Sequence, residues 1–153
     1  MRLCDLLTTE TILTDITSRN KEGVLREMAE KLHVAGKIPD MEKLVKVLME
    51  RERLGSTGIG ENIAIPHAKS DDLTGMVAAF AISRDGIDFD SLDQKKVHYF
   101  FLLLAPSGEA GKHLKLLARI SRLTRMDGFC KSLLALESPE AILSAIEKAE
   151  QLL

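Results

Sequence analysis

The sequence predicts an α/β fold, with a mixed central β-sheet of about five strands and helices on both faces of the sheet. Two observations predict this class. Stretches with the 3.6-residue periodicity of amphipathic helices lie toward both ends of the chain, and short apolar runs typical of strands lie between them. The length of 153 residues is typical of one domain. We therefore expect a single domain that spans residues 1–153.

The N-terminal part predicts one short strand followed by two helices. Residues 12–16 alternate in the manner of a strand. Asn20 is a suitable N-cap for a first helix, whose apolar residues recur at helical spacing until Gly36 ends it. Asp40 is a suitable N-cap for a second helix, which follows Pro39. Two helices are thus expected before the central strands begin.

The middle of the chain predicts the interior strands. Residues 63–66 form a short apolar run, and residues 77–82 and 97–105 are apolar enough for buried strands. Residues 85–86, Asp-Gly, indicate a turn, after which residues 87–89 are expected to form a short strand. Together with the first strand, these segments account for the expected sheet.

Three helices are predicted after the last strand. The first begins around Gly111, and the second is short, starting at residues 126–128 and ending at Leu136. Ser138 followed by Pro139 is typical of an N-cap and a first helical residue. A final amphipathic helix therefore begins there.

Composition excludes several classes of protein. The 21 basic and 23 acidic side chains leave a net charge of -2, so we expect no general attraction to nucleic acid. Cys4 and Cys130 form no C-x-x-C pair, which predicts neither a zinc site nor a disulfide framework and fits the reducing cytoplasm. The longest apolar run, residues 99–105, is far shorter than the roughly 20 residues of a membrane span. We expect a cytoplasmic chain with no direct membrane insertion, no metal and no cofactor.

The most informative stretch is GSTGIGENIAIPHAK, at residues 55–69. Its glycines allow the backbone to approach a ligand closely, which suits an anion site. Pro66 fixes its own φ and biases Ile65 toward extended geometry, so His67 is held in a rigid frame. The glycine spacing fits neither the dinucleotide-binding fingerprint nor the P-loop. Because a lone histidine beside an apolar run is more often structural, the glycines alone leave its role open.

Two further residues have positions that suit an anion site. Arg51 falls in the last turn of the second helix, on the edge of its apolar stripe, whereas Arg53 projects to the solvated side. By itself, Arg51 is best interpreted as a cation that interacts with the helix dipole. His113 lies on the inward arc of a later helix and in its first turn, where free backbone donors favour phosphate. His33, near a helix end, and His98, on a buried strand, are interpreted as structural.

The run RERLGSTGIGENIAIPHAK, with KHLKLLARISRL further along, closely resembles the type-2 IIA domains of the bacterial phosphoenolpyruvate-dependent sugar phosphotransferase system. These domains form the fructose and mannitol class, and the resemblance, which covers essentially the whole chain, is greatest to fructose-specific IIA. It implies a phosphocarrier, in which His67 accepts a phosphoryl group from the histidine phosphocarrier protein HPr and passes it to a cysteine of a sugar-specific IIB domain. It also implies an indirect connection to a membrane IIC component. The family fold agrees with the predicted α/β class.

The resemblance also implies roles for residues around His67, whose reacting nitrogen in this family is Nε2. Arg51 matches the assisting arginine of the family and His113 matches its second histidine, and both are expected to contact phosphate oxygens. Thr57 and nearby backbone N–H groups are expected to supply further donors. Glu61 matches the site glutamate of the family, and we expect it to orient Arg51 or His113.

Two other features concern the surroundings of the glycine loop. Asn62 stands where many relatives have glycine, and we expect the change to be tolerated because Asn also adopts left-handed backbone. Leu54, Ile59 and Ile63 flank the loop and are candidates for an apolar patch that docks partner proteins. A core position is an equally good interpretation of Ile63.

The sequence lacks the motifs of two other enzyme classes. A serine hydrolase requires a G-x-S-x-G elbow and a zinc enzyme a compact ligand motif, and the sequence has neither. The serious alternative is a nitrogen-related IIA protein, which shares GSTGIG and the histidine but controls partner proteins. The segments IPHAKS and GIDFDSLD look more like fructose-type domains, although fold and motif do not identify the downstream partner. The sugar itself is not predicted, because IIA does not touch it.

Overall fold

The computed structural model describes the whole chain, Met1–Leu153. Short 3₁₀ turns occur at Leu3–Asp5, Thr9–Thr11 and Ser107–Glu109. The strands and helices, in chain order, are β1 (Ile12–Leu13), α1 (Lys21–Val34), α2 (Met41–Arg53), β2 (Gly58–Gly60), β3 (Ile63–Ala64), β4 (His67–Lys69), β5 (Val77–Ile87), β6 (Val97–Ala105), α3 (Ala110–Thr124), α4 (Phe129–Leu133) and α5 (Pro139–Glu150).

The strands form one mixed sheet in the order β1-β5-β6-β3-β2, and β4 also pairs with β6. The pairs β5–β6 and β2–β3 are antiparallel, whereas β1 is parallel to β5, and β3 and β4 are parallel to β6. Ile63 pairs with Tyr99, and His67 pairs with Leu103 further along the same strand. The chain therefore follows one side of β6 from the glycine loop to His67.

Helices cover both faces of this sheet, as predicted. Phe100 points into the core formed with α1 and α2, which includes Met28 and Leu48. The next residue, Phe101, points into the opposite core, which includes Ile120 of α3 and Ile146 of α5. Neighbouring strand residues point to opposite faces, so β6 supplies both cores at once.

The predicted helix starts are confirmed by their capping bonds. The side-chain oxygen of Asn20 accepts from Gly23 N at 2.8 Å, and that of Asp40 accepts from Lys43 N at 3.1 Å. Ser138 Oγ accepts from Ala141 N at 3.1 Å. Each bond satisfies a donor that the first helical turn leaves unpaired.

The central region differs from the prediction in one respect. Residues 85–86 do not form a turn, because β5 continues through them to Ile87. The register with β6 shifts between Ile82 and Ile87, and Gly86 has a φ of 81°. A Cβ at Gly86 would lie 2.9 Å from the Cβ of Lys96. The glycine therefore marks a bulge in a long strand, and residues 87–89 are not a separate strand.

The sheet has six strands instead of about five. Glycine is unfavourable in strands, so the segment that forms β2 reads as a loop in the sequence. β4 follows Pro66 and is only three residues long. Two other elements are shorter than expected, because β1 stops at Leu13 and α4 spans Phe129–Leu133.

Candidate active site

His67 is the first residue of β4, and its backbone is fixed by the neighbouring strand. It pairs with Leu103 in the parallel β4–β6 ladder. Just before it, the carbonyl of Pro66 accepts from Leu103 N at 2.9 Å. The His67 side chain is half-buried. The rigid frame predicted for this histidine is therefore present.

The ring of His67 is held by a backbone carbonyl. Its Nδ1 lies 2.8 Å from the carbonyl oxygen of Ile65. Since a carbonyl oxygen only accepts, Nδ1 carries the proton of the neutral ring and donates it, which leaves a lone pair on Nε2. Burial lowers the pKa of His67 below its ordinary 6.5, and the charge of Arg51 lowers it further, against the Ile65 bond and Glu52, which raise it. A neutral ring with a free Nε2 is the form that acts as a nucleophile.

Arg51 is placed beside His67 by the end of α2. Its Nη1 donates to the carbonyl oxygen of Gly55 at 2.9 Å. The side chain is half-buried, whereas that of Arg53 is exposed, as the helical wheel predicts. The bond to Gly55 fixes one end of the guanidinium and leaves its other N–H groups for an anion.

His113 is buried in the first turns of α3 and faces His67. The two rings have their centroids 5.4 Å apart. His113 is only 4% exposed, and its buried Nε2 has no hydrogen-bond partner in the protein. Burial, together with the charges of His67 and Lys69, lowers the pKa of His113 to about 4. A neutral histidine with an unpaired buried nitrogen is costly to stability, by about 1–3 kcal/mol, and such costs are concentrated at functional sites.

His67, Arg51 and His113 line one open cleft of about 500 Å³. The structure thus brings together the three residues that the sequence analysis placed at the centre of the site. The remaining lining residues are Val47, Glu50, Leu54, Ala68 and Lys69. Lys69 was not singled out from the sequence, although it lies two residues after His67 and on the same side of its strand. The cleft therefore has two cations, Arg51 and Lys69, and one anion, Glu50, and the second cation suits a phosphoryl group.

Thr57 does not line this cleft. It is buried, its N–H donates to Glu52 Oε1 at 3.1 Å, and its hydroxyl donates to Glu52 Oε2. Gly58 N donates to Ser56 Oγ at 3.0 Å. Both donors of Thr57 and the N–H of Gly58 are thus already paired within the protein. Position 58 requires glycine because Ser91 lies close to its backbone, and a Cβ there would collide with Ser91 Oγ.

Glu61 also lies outside the cleft, which corrects the expectation that it orients Arg51 or His113. Its side chain is 84% exposed and pairs with Lys95 at 3.7 Å. The physical reason is the turn between β2 and β3, where Glu61 has a φ of 56° and Asn62 a φ of 69°. This turn precedes Ile63, which pairs with Tyr99, whereas His67 pairs with Leu103 four residues further along β6.

Asn62 has left-handed backbone, as expected for a position where glycine would also fit. Its Nδ2 donates to the carbonyl oxygen of Lys96 at 2.7 Å. Asparagine is enriched among residues with positive φ, and here its side chain adds a hydrogen bond that glycine could not make. The departure at position 62 therefore leaves the turn intact.

The other two histidines have local hydrogen bonds and lie outside the cleft. His98 Nδ1 is 2.8 Å from the carbonyl oxygen of Ser83, and His33 Nδ1 is 3.2 Å from that of Ile38. Neither residue lines the cleft that contains His67. These contacts are consistent with the structural roles expected for both.

The three candidate docking residues have different environments. Leu54 is 85% exposed and lies at the edge of the cleft. Ile59 is exposed but lines a different depression, and Ile63 is buried in the core with α3 and α5. Leu54 is therefore the one candidate that presents an apolar side chain beside His67. None of the helices is both long and apolar enough to cross a lipid bilayer.

Comparison with known proteins identifies the family. Residues 5–149 match the family described as "Phosphoenolpyruvate-dependent sugar phosphotransferase system, EIIA 2". The chain belongs to this family. This confirms the resemblance carried by RERLGSTGIGENIAIPHAK, and it makes the EIIA chain a phosphotransfer component of that system.

Relatives of this EIIA chain have two different roles. It is 40% identical over 151 residues to the fructose-specific EIIABC component of Bacillus subtilis, a match that covers 99% of this chain and 24% of that protein. It is also 40% identical over 147 residues to a nitrogen regulatory protein of Bradyrhizobium diazoefficiens, with 95% of each covered. The crystal structure of nitrogen regulatory protein IIA-Ntr from Neisseria meningitidis superposes with a TM-score of 0.88 at 27% identity, over 94% of this chain and 98% of that one. The chain thus spans about a quarter of the Bacillus protein, and similarity alone does not separate the two roles.

Proposed function

We propose that this EIIA chain carries a phosphoryl group on Nε2 of His67, accepted from phosphorylated HPr and passed to a cysteine of a IIB domain. The observation that carries the proposal is the bond from His67 Nδ1 to the Ile65 carbonyl, which leaves the Nε2 lone pair free on a ring that lines the cleft with Arg51 and His113. In transfer, Nε2 attacks phosphorus as the bond from phosphorus to the donor histidine breaks. Nδ1 keeps its proton and its bond to the Ile65 carbonyl, and the nitrogen released on the donor imidazole takes up one proton from solvent.

The surrounding side chains supply charge and positioning. Phosphoryl transfer depends mainly on holding the group in line and neutralising its equatorial oxygens. Arg51 offers a planar fork to those oxygens, Lys69 adds a second cation at the rim, and neutral His113 can donate one hydrogen bond. No cofactor or metal is required by this scheme. The fixed tautomer means that the nucleophile needs no reorientation before it reacts.

The role that we propose is phosphoryl transfer for sugar uptake of the fructose type, in the cytoplasm. A IIB domain accepts the phosphoryl group, and a membrane IIC component takes part indirectly. The fructose-specific Bacillus relative supports it, as do the segments IPHAKS and GIDFDSLD. We further propose that residues 1–153 form one domain, since a single sheet supplies both cores.

A regulatory role is the second candidate, and a specific observation favours it. The Bradyrhizobium nitrogen regulatory protein matches at the same 40% identity and is covered over 95% of its length, unlike the Bacillus protein. In that role the same phosphohistidine would control the binding of partner proteins instead of feeding a IIB domain.

Transfer to IIB separates the two roles. The chain is phosphorylated with phosphoenolpyruvate, enzyme I and HPr, purified, and mixed with a fructose-type IIB domain. The uptake role predicts that phosphate moves to the IIB cysteine within seconds, that phosphorylated IIB returns it to His67, and that a Cys→Ser variant of IIB receives none. Retention of the phosphate in the presence of every IIB domain of the source organism would contradict uptake and favour the regulatory role.

A further inference from the structure

Glu52 is a buried carboxylate next to the site, and the sequence analysis gave it no role. Its side chain is 3% exposed. It accepts hydrogen bonds from the N–H and the hydroxyl of Thr57, and Lys21 Nζ lies 3.2 Å from its Oε1. Burying a carboxylate is costly unless it is paired and hydrogen-bonded. Glu52 has both kinds of partner, which is the arrangement expected of a charge that is kept inside the protein.

This carboxylate joins four segments of the chain. Lys21 is the first residue of α1, Glu52 lies in the last turn of α2, and Thr57 is in the glycine loop. Lys21 Nζ also lies 3.3 Å from Asp90 Oδ2 and 4.7 Å from the ring centroid of Phe89, after β5. The glycine loop is therefore tied through Glu52 to α2 and, through Lys21, to α1 and the segment after β5.

The same contacts control Arg51. The loop leaves α2 after Arg53 and is closed by the bonds from Thr57 to Glu52. Within the closed segment, the carbonyl of Gly55 accepts from Arg51 Nη1 at 2.9 Å, and Gly55 N donates to the carbonyl of Glu52 at 3.1 Å. Gly55 has a φ of 149°, which other residues rarely adopt. A loop released from Glu52 would therefore move the carbonyl that holds the guanidinium.

We propose that Glu52 is a positioning residue for phosphoryl transfer: by closing the loop onto Thr57 it fixes the Gly55 carbonyl and, through it, the Arg51 guanidinium beside His67. The inference rests on the function proposed above. It gives Thr57 the role of binding Glu52, instead of the expected role of donating to phosphate. It also predicts an electrostatic signature, because the charge of Arg51 lowers the pKa of His67. Displacement of Arg51 with the charge of Glu52 intact should raise that pKa.

The chain offers a matched control in Glu150. This carboxylate is also buried, accepts from the N–H groups of Leu3 and Cys4 at 2.8 and 2.7 Å, and pairs with Arg119 Nε at 2.6 Å. It ends α5, which packs in the core on the face of the sheet opposite α1 and α2. Glu150→Gln therefore removes a comparable buried charge without touching the loop that holds Arg51.

The test is the single-turnover rate at which the full chain accepts phosphate from phosphorylated HPr, measured for the wild type, Glu52→Gln and Glu150→Gln. Misplacing a catalytic group by about 1 Å can cost roughly 100-fold in rate, so we expect Glu52→Gln to be about 10- to 100-fold slower. Glu150→Gln should transfer at the wild-type rate despite its lost ion pair. A Glu52→Gln rate equal to that of Glu150→Gln would overturn the proposal.

Two further measurements distinguish lost positioning of Arg51 from poor folding of a variant. Thr57→Val removes the hydroxyl donor at nearly constant shape and should slow transfer, whereas Thr57→Ser keeps the hydroxyl and should restore the wild-type rate. Titration of His67 by NMR should give a higher pKa in Thr57→Val, where Arg51 is released while the charge of Glu52 stays, and an unchanged pKa in Thr57→Ser and Glu150→Gln. Equal rates for Thr57→Val and Thr57→Ser, or an unchanged His67 pKa in Thr57→Val, would contradict positioning by Glu52. Wild-type protein that accepts no phosphate would instead contradict the proposed function itself.

Discussion

The rings of His67 and His113 meet edge to face, with centroids 5.4 Å apart and an interplanar angle of 83°. Burial lowers the pKa of both rings. The charge of His67 lowers the pKa of His113 further, and the charge of Arg51 lowers that of His67 further. At neutral pH the pair is therefore uncharged, and the positive charge of the cleft comes from Arg51 and Lys69 at its sides.

Arg51 should be required for fast transfer, and its shape should matter as well as its charge. Losing a positioned charge-assisted contact costs about 2–4 kcal/mol in the transition state, so Arg51→Ala should slow phosphate acceptance roughly 30- to 1000-fold. Arg51→Lys should also be impaired, because an ammonium lacks the planar fork. Stopped-flow measurement with phosphorylated HPr checks both variants. The matched control is Arg53→Ala, an exposed neighbour that should react like the wild type.

The pKa of His67 should lie below 6.5 and respond to Arg51. Burial and the Arg51 cation both disfavour the charged ring, so removing the cation in Arg51→Ala should raise the pKa. The other charged groups that line the cleft, Glu50 and Lys69, are unchanged in that variant. NMR titration of the His67 ring measures the effect, with Arg53→Ala as control. A His67 pKa above 6.5 in the wild type would contradict this electrostatic account.

His113 should make the protein sensitive to acid. Its pKa is about 4 when folded and 6.5 when exposed, so below pH 6.5 the unfolded chain binds a proton that the folded chain does not. The contribution of His113 to stability is complete above pH 6.5 and is lost as the pH falls toward 4, by up to about 1.4 kcal/mol per pH unit. We therefore expect the free energy of unfolding in urea to fall between pH 7 and pH 5 by about 1–2 kcal/mol more in the wild type than in His113→Gln. Equal losses would show that His113 is not buried in its neutral form.

Leu54 should contribute to docking of the phosphate donor. It is 85% exposed at the edge of the cleft, where a partner that reaches His67 would cover it. Leu54→Ser should raise the KM for phosphorylated HPr by several-fold, corresponding to about 1 kcal/mol, without changing stability. Leu152→Ser, at an exposed position near the C-terminus and outside the cleft, is the control. Equal KM values for the two variants would place the docking surface elsewhere.

Much of the fold could be predicted because its signals are local. Capping residues such as Asn20 and Asp40 act within one helical turn, and the apolar run of β6 is continuous. The predictions of strands were wrong where pairing with a distant part of the chain determines the structure. The strand at Gly58–Gly60 exists because it pairs with β3, with Gly58 leaving room for Ser91, and β5 continues past Gly86 because β6 accepts a bulge.

The site shows the same division. His67 and Arg51 could be predicted, since a proline frame and a helical wheel depend on neighbouring residues. His113 could be placed on the inward face of its helix, but only the tertiary fold sets it against His67. The motif predicts a site role for Glu61 and none for Glu52. The bonds of Glu52 to Thr57 and Lys21 form only when α1, α2 and the loop meet, although its position beside Arg51 was a signal.

The central claim is that His67 alone carries the phosphoryl group, and intact-mass spectrometry tests it most directly. With phosphoenolpyruvate, enzyme I and HPr, the wild-type chain should gain one acid-labile phosphate. His33→Gln and His98→Gln should gain the same phosphate, because those rings have only local hydrogen bonds outside the cleft. His67→Ala should gain none. A His67→Ala chain that is phosphorylated to the wild-type level would contradict the account.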